Sequence, residues 1–114
     1  MTDPADHVIA VEADTAGTDL LQLVEEHGFS RYPVYDNSIY DVLGILHVKD
    51  LLGAIRRNEL QTVHARQLVR EPMVVPDTLP VDELFNRMRD TNARMAIVID
   101  EFGGTAGVVT LENL

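Results

Sequence analysis

Two spacings of apolar residues alternate along the chain and predict its elements. "HVIAV" (7–11) is a short apolar run of strand character. Behind it, Leu20, Leu21 and Val24 share one face of a 3.6-residue period, with Thr18 as the expected N-cap and Gly28 as the stop. "RYPVY" and "VLGIL" are β-prone runs, expected as two strands joined by the turn-rich "DNSIYD". "VKDLLGAIRRNEL" follows as an amphipathic helix whose basic end suits the negative pole of the helix dipole. The same order then returns. "MVV" is a strand, "VDELFNRMRDT" a helix with Leu84, Phe85 and Met88 as its buried stripe, and "MAIVI" with "AGVVT" a hairpin across "DEFGG".

Each copy therefore reads β-α-β-β-α, an α+β plan repeated once. Gly44 and Gly107 lie 63 positions apart, as do His47 and Thr110, Asp50 and Asn113, and Arg31 and Arg94. Asp36 and Asp100 lie 64 apart, as do the helical stretches "TDLLQLVEEHG" and "DELFNRMRDTN". This is an internal repeat, and it should organise the fold. Two copies are too few for a solenoid, so the expectation is a closed pair with pseudo-twofold symmetry, packed sheet against sheet. The expected boundaries are 1–57 for the first repeat, 58–71 for a linker in which "ARQLV" can make one turn, and 72–114 for the second repeat. In the second repeat, "TLEN" reads as the start of a final helix that the chain cuts short.

Composition narrows the classes. A chain of 114 residues can hold one modest core, and its 46% hydrophobic content is ordinary, with no run long enough to span a bilayer. A formal net charge of -10 argues against a nucleic-acid backbone as partner, because such binding needs clustered Lys and Arg. The lack of Cys excludes disulfides and thiolate metal sites. "MTDPADHVIAV" has neither the basic nor the apolar region of a signal peptide.

Candidate chemistry sits where the last strand of each hairpin becomes a helix. The two stretches are Gly44-Ile-Leu-His47-Val-Lys-Asp50 and Gly107-Val-Val-Thr110-Leu-Glu-Asn113. Glycine lets a ligand approach the backbone. A hydroxyl ahead of a helix N-terminus can bond a phosphate where unpaired N–H groups already favour an anion. A carboxylate or amide one turn later can take the two hydroxyls of a ribose. The plainer reading makes Thr110 a helix N-cap and leaves Asp50 and Asn113 as exposed first-turn residues.

These residues resemble a CBS domain pair, whose Gly-apolar-apolar-Ser/Thr-x-x-Asp/Asn signature is complete at 107–113. "SRYPVYD", "GILHVKDLL" and above all "DEFGGTAGVVTLEN" look like the CBS pair of the CorC/hemolysin C-like family of magnesium and cobalt efflux proteins. The resemblance implies a regulatory module excised from a longer membrane protein, on the cytoplasmic face of the cell membrane, attached to a membrane domain and paired as a homodimer. It implies an adenosine nucleotide as ligand, ATP with Mg2+ or AMP, in clefts between the repeats. One cleft would use Gly107, Thr110 and Asn113 with Ser30, Arg31, Tyr32 and Pro33, while the backbone from Val8 through Ile9 to Ala10 lines the base. Tyr32 also reads as a core or hairpin aromatic. The pseudo-symmetric cleft would use Gly44, His47, Asp50, Val74, Arg94, Met95 and Ala96, weakened because His47 replaces the hydroxyl. Asn113 stands where an acid is commoner and brings no charge.

Catalysis finds no constellation. There is no Gly-x-Ser-x-Gly elbow, His-Glu-x-x-His pair or P-loop, and Asp100 and Glu101 point to opposite faces of a strand. "DEFGG" reads as a turn with Phe102 packed on a neighbour. No direct metal site is expected, Mg2+ being held through nucleotide phosphates. Two classes remain: a nucleotide sensor that acts on a transporter dimer, and a ligand-free dimerisation scaffold.

Overall fold

The computed structural model describes residues 8–111. Glu112 and Asn113 of the expected final helix lie outside them, as does the first residue of "HVIAV". The described residues divide into two compact units, one spanning Ile9–Glu71 and the other holding Val8 together with residues 72–111.

The first unit runs β1 (Val11–Glu12), α1 (Gly17–His27), β2 (Arg31–Asp36), β3 (Ser38–His47), α2 (Val48–Arg56), α3 (Ala65–Leu68) and β4 (Val69–Arg70). Its sheet has the order β1-β2-β3-β4, with β1 parallel to β2 and the other pairs antiparallel. Only two residues of "HVIAV" and its sequel form β1. Val11, Leu20, Tyr32, Val34, Leu46 and Leu51 close the core between the sheet and its helices. Burying side chains of this size is the main stabilising term for so small a unit.

Two local expectations change here. Helix α1 is capped by Ala16, not Thr18, because the backbone N–H of Gly17 already bonds the Val63 carbonyl at 2.9 Å and starts the helix earlier. Its end is as expected: Gly28 sits at φ 73 and its N–H reaches the Val24 carbonyl at 2.8 Å. The "DNSIYD" connection is mostly strand. Asn37 alone separates β2 from β3, in the left-handed conformation (φ 65) that Asn tolerates. The ladder slips between Val34 and Asp36, leaving Ile39 and Tyr40 exposed.

Residues 58–71 fold onto this first unit. The N–H groups of Ala65 and Arg66 bond the carbonyls of Thr15 and Ala13 at 2.9 and 2.8 Å. Arg66 also reaches Asp14 and Asp36 at 3.3 and 3.2 Å.

The second unit holds β5 (Met73–Pro76), α4 (Val81–Asp90), β6 (Met95–Ile99) and β7 (Thr105–Thr110), with sheet order β5-β6-β7. Leu84 and Met88 are buried with Val75 and Ala96, and Phe85 packs against them half-buried. The repeat is visible in the register. Val11 pairs with Val34 and Val34 with Gly44; Val75 pairs with Val98 and Val98 with Gly107. Both sheets carry a bulge just past that valine. Phe102 does not pack within the chain as expected. It is 88% exposed at the tip of a turn that Asp100 organises, its Oδ1 accepting from the N–H groups of Phe102 and Gly104 at 2.9 Å each.

Candidate functional site

Each unit brings its motif to one end of its sheet. In the first, Arg31 pairs with His47 across the last rung of the β2–β3 ladder, and the Ser30 carbonyl accepts from the Val48 N–H at 2.9 Å. In the second, Met95 pairs with Thr110, and the Arg94 carbonyl accepts from the Leu111 N–H at 2.9 Å. Arg94 therefore stands in the place of Ser30, and Met95 in that of Arg31. The 63-residue spacing of the two arginines does not make them equivalent, because the first hairpin is one residue longer than the second and the offset changes within it.

The two motifs differ in what already occupies them. At Gly44 an added Cβ would lie 2.5 Å from the Arg70 carbonyl and 3.2 Å from the Val69 Cβ, since β4 pairs directly against that stretch of β3. At Gly107 a Cβ would meet nothing among the described residues within 4 Å. Here the backbone of β7 is open to close approach, as a bound ligand requires. Thr110 ends this strand half-buried.

His47 caps α2. Its Nδ1 accepts from the Lys49 N–H at 3.0 Å, so the imidazole does the work expected of a hydroxyl at that place. Accepting at Nδ1 requires that nitrogen to be unprotonated. Burial, then the nearby cations Arg31, Arg70 and Lys49, hold the His47 pKa below its ordinary 6.5, against a smaller opposing effect of Asp50.

Asp50 is taken by Arg70, with Nε to Oδ2 at 2.6 Å and Nη2 to Oδ1 at 2.9 Å. Those bonds raise the Arg70 pKa further above its ordinary value. Sequence reasoning missed Arg70: it lies 20 residues past Asp50, inside the 58–71 stretch, with no motif of its own.

Other expected residues divide by burial. Tyr32 is fully buried in the first core, and its hydroxyl accepts from the Phe29 N–H at 3.0 Å. Of its two readings, the structure shows the core one, so its ring is not a surface for adenine. Pro33, Met95 and Ala96 are buried as well. Ser30, Ala10 and Arg94 are exposed, Val74 is 50% exposed, and Ile9 and Arg31 are intermediate. Asn113 lies outside the described residues. Among the described residues no group of three His, Cys, Asp or Glu side chains could hold a metal, and no helix is long and apolar enough to cross a membrane.

Two sheets with a shared register, each carrying a Gly-apolar-apolar-x motif to the end of a strand, define a tandem CBS fold. Residues 1–57 and 65–114 match the CBS domain family. The chain is 33% identical over 97% of its length to the magnesium and cobalt efflux protein CorC of Escherichia coli, and 37% identical over 97% to a UPF0053 protein of Mycobacterium tuberculosis. It spans 38% and 24% of those relatives. A solved CBS domain of a bacterial CNNM/CorC family Mg2+ transporter, in complex with ATP, is 38% identical with a TM-score of 0.82, over 96% of this chain and 78% of that one. The chain belongs to the CBS domain family, as a CBS pair of the CorC/hemolysin C-like kind.

Proposed function

We propose that this chain is the regulatory module of a longer CorC-like membrane protein, that it binds an adenosine nucleotide, ATP with Mg2+ or AMP, and that binding controls an attached membrane domain from the cytoplasmic face. The observation that carries this reading is the open backbone at Gly107, three residues ahead of Thr110 in the complete signature. The ATP complex of the 38% identical CBS domain supports the ligand class.

The residues present fit such a ligand. Thr110 would bond phosphate with its hydroxyl and Asn113 the ribose with its amide. The proposed role is ligand binding rather than catalysis. The first motif is the poorer site, because His47 is spent capping α2 and Asp50 is held by Arg70.

Calorimetry with ATP and AMP on Thr110→Ala and Asn113→Ala tests the assignment. Both variants should weaken binding, while His47→Ala should leave it nearly unchanged. Unaltered affinity in the first two would sink the site assignment, and no binding of ATP or AMP to the wild-type chain would leave a ligand-free dimerisation scaffold as the better reading.

A further inference from the structure

We propose that the groove between α2 and the α3–β4 segment of the first unit, which runs along α2 from Asp50, is a binding site for a small, multiply charged phosphate anion. The groove has a volume of about 390 Å³ and is lined by Lys49, Asp50, Gly53, Arg56, Arg57 and Arg70, among others. Four of the nine Lys and Arg residues of a chain with net charge -10 thus meet in one place. Asp50 is the single acid in the lining, and both its oxygens are engaged by Arg70. Arg57 donates to Glu59 at 3.1 Å. Lys49 and Arg56 have no ion pair among the described residues.

Helix electrostatics explains only part of this cluster. Arg56 and Arg57 suit the C-terminal end of α2. Lys49 stands in the first turn, where the dipole disfavours a cation, and Arg70 arrives from a different element. Like charges gathered this way repel one another, and an anion in the groove relieves that repulsion. Gly53 forms part of the floor. A Cβ there would lie 3.0 Å from the Arg57 Nη1, so the guanidinium packs directly over the bare backbone of this glycine.

The spacing selects the ligand class. Lys49 and Arg56 are seven residues apart on one helix, about 10 Å along its axis at ~1.5 Å per residue. That span suits an elongated anion with charge at several points better than a single carboxylate. Inorganic triphosphate and the tail of a nucleotide share this chemistry, and adenosine separates them because it has the base and ribose alone.

The test is calorimetry of the full chain with inorganic triphosphate at low salt, without magnesium. Saturable binding is expected. It should weaken at least tenfold in the Arg56→Ala/Arg57→Ala variant and severalfold in Lys49→Gln, fall with ionic strength, and stay unchanged with adenosine present. If the double variant fails to fold by circular dichroism, the exposed Lys49→Gln carries the comparison. No saturable binding, wild-type affinity in the folded variants, or displacement by adenosine would each overturn the groove assignment. Failure of the nucleotide reading shows separately, as ATP and AMP affinities indifferent to Thr110→Ala and Asn113→Ala.

Discussion

Arg70 and Asp50 form a two-point pair, 2.6 and 2.9 Å between guanidinium and carboxylate, that ties β4 to the first turn of α2. The side chains are 53% and 30% exposed, so water and salt screen the attraction. Removing it should cost no more than ~1 kcal/mol, as for other exposed pairs. Urea unfolding of Arg70→Ala is expected to show a small loss at low salt that shrinks as salt is added. A larger loss, independent of salt, would mean that the stem of Arg70 matters through packing rather than charge.

The two motif glycines should respond in opposite ways. Gly44→Ala drives a methyl group against the Arg70 carbonyl and Val69, and backbone yields poorly. We expect a loss of about 1–3 kcal/mol, typical of overpacking. Gly107→Ala meets open space among the described residues and should stay within ~0.5 kcal/mol of wild type. Its effect should appear in nucleotide affinity instead. Thermal unfolding with and without ATP distinguishes the two.

Acidification should weaken the first unit through His47. Its folded-state pKa lies below the ordinary 6.5, so the unfolded chain takes up the proton first. The stabilising contribution of the neutral imidazole is present above 6.5 and is lost as pH falls from there through the folded value. Protonation also removes the acceptor for the Lys49 N–H. The variant His47→Asn keeps a capping acceptor without the titration. Its stability should fall less than that of wild type over this range, and parallel pH curves would refute the assignment.

Magnesium should strengthen ATP binding and leave AMP binding far less affected. A triphosphate adds negative charge to a chain already at -10, and Mg2+ offsets it by coordinating phosphate oxygens while keeping most of its waters. ATP affinity measured with magnesium and with chelator at fixed ionic strength is the comparison. Equal values would leave a plain adenosine-nucleotide site.

A twofold homodimer is expected through the amphipathic faces of α2 and α4, where Leu52 and Val81 are 56% and 53% exposed. Leu52→Glu should shift sedimentation toward monomer without loss of helix content. A wild-type chain that sediments as monomer at high concentration with ATP present would argue against the dimer.

The sequence by itself determined the repeat, the order of the elements and the place of the motifs, because these follow from local periodicity and from positions that recur at one offset. The αL stop at Gly28 and the Asp100 turn were legible for the same reason: each depends on residues within a few positions of one another. Tertiary structure decided the rest. The Gly17–Val63 hydrogen bond moved the start of α1 ahead of Thr18, and the longer first hairpin put Arg94 in the place of Ser30, not of Arg31. Burial made Tyr32 a core residue. Above all, β4 covers Gly44 and brings Arg70 onto Asp50, so two motifs that look alike in sequence differ in what they leave open. The contacts of β4 and of Gly17 join residues 20 or more positions apart, and only the folded chain determines which groups then meet.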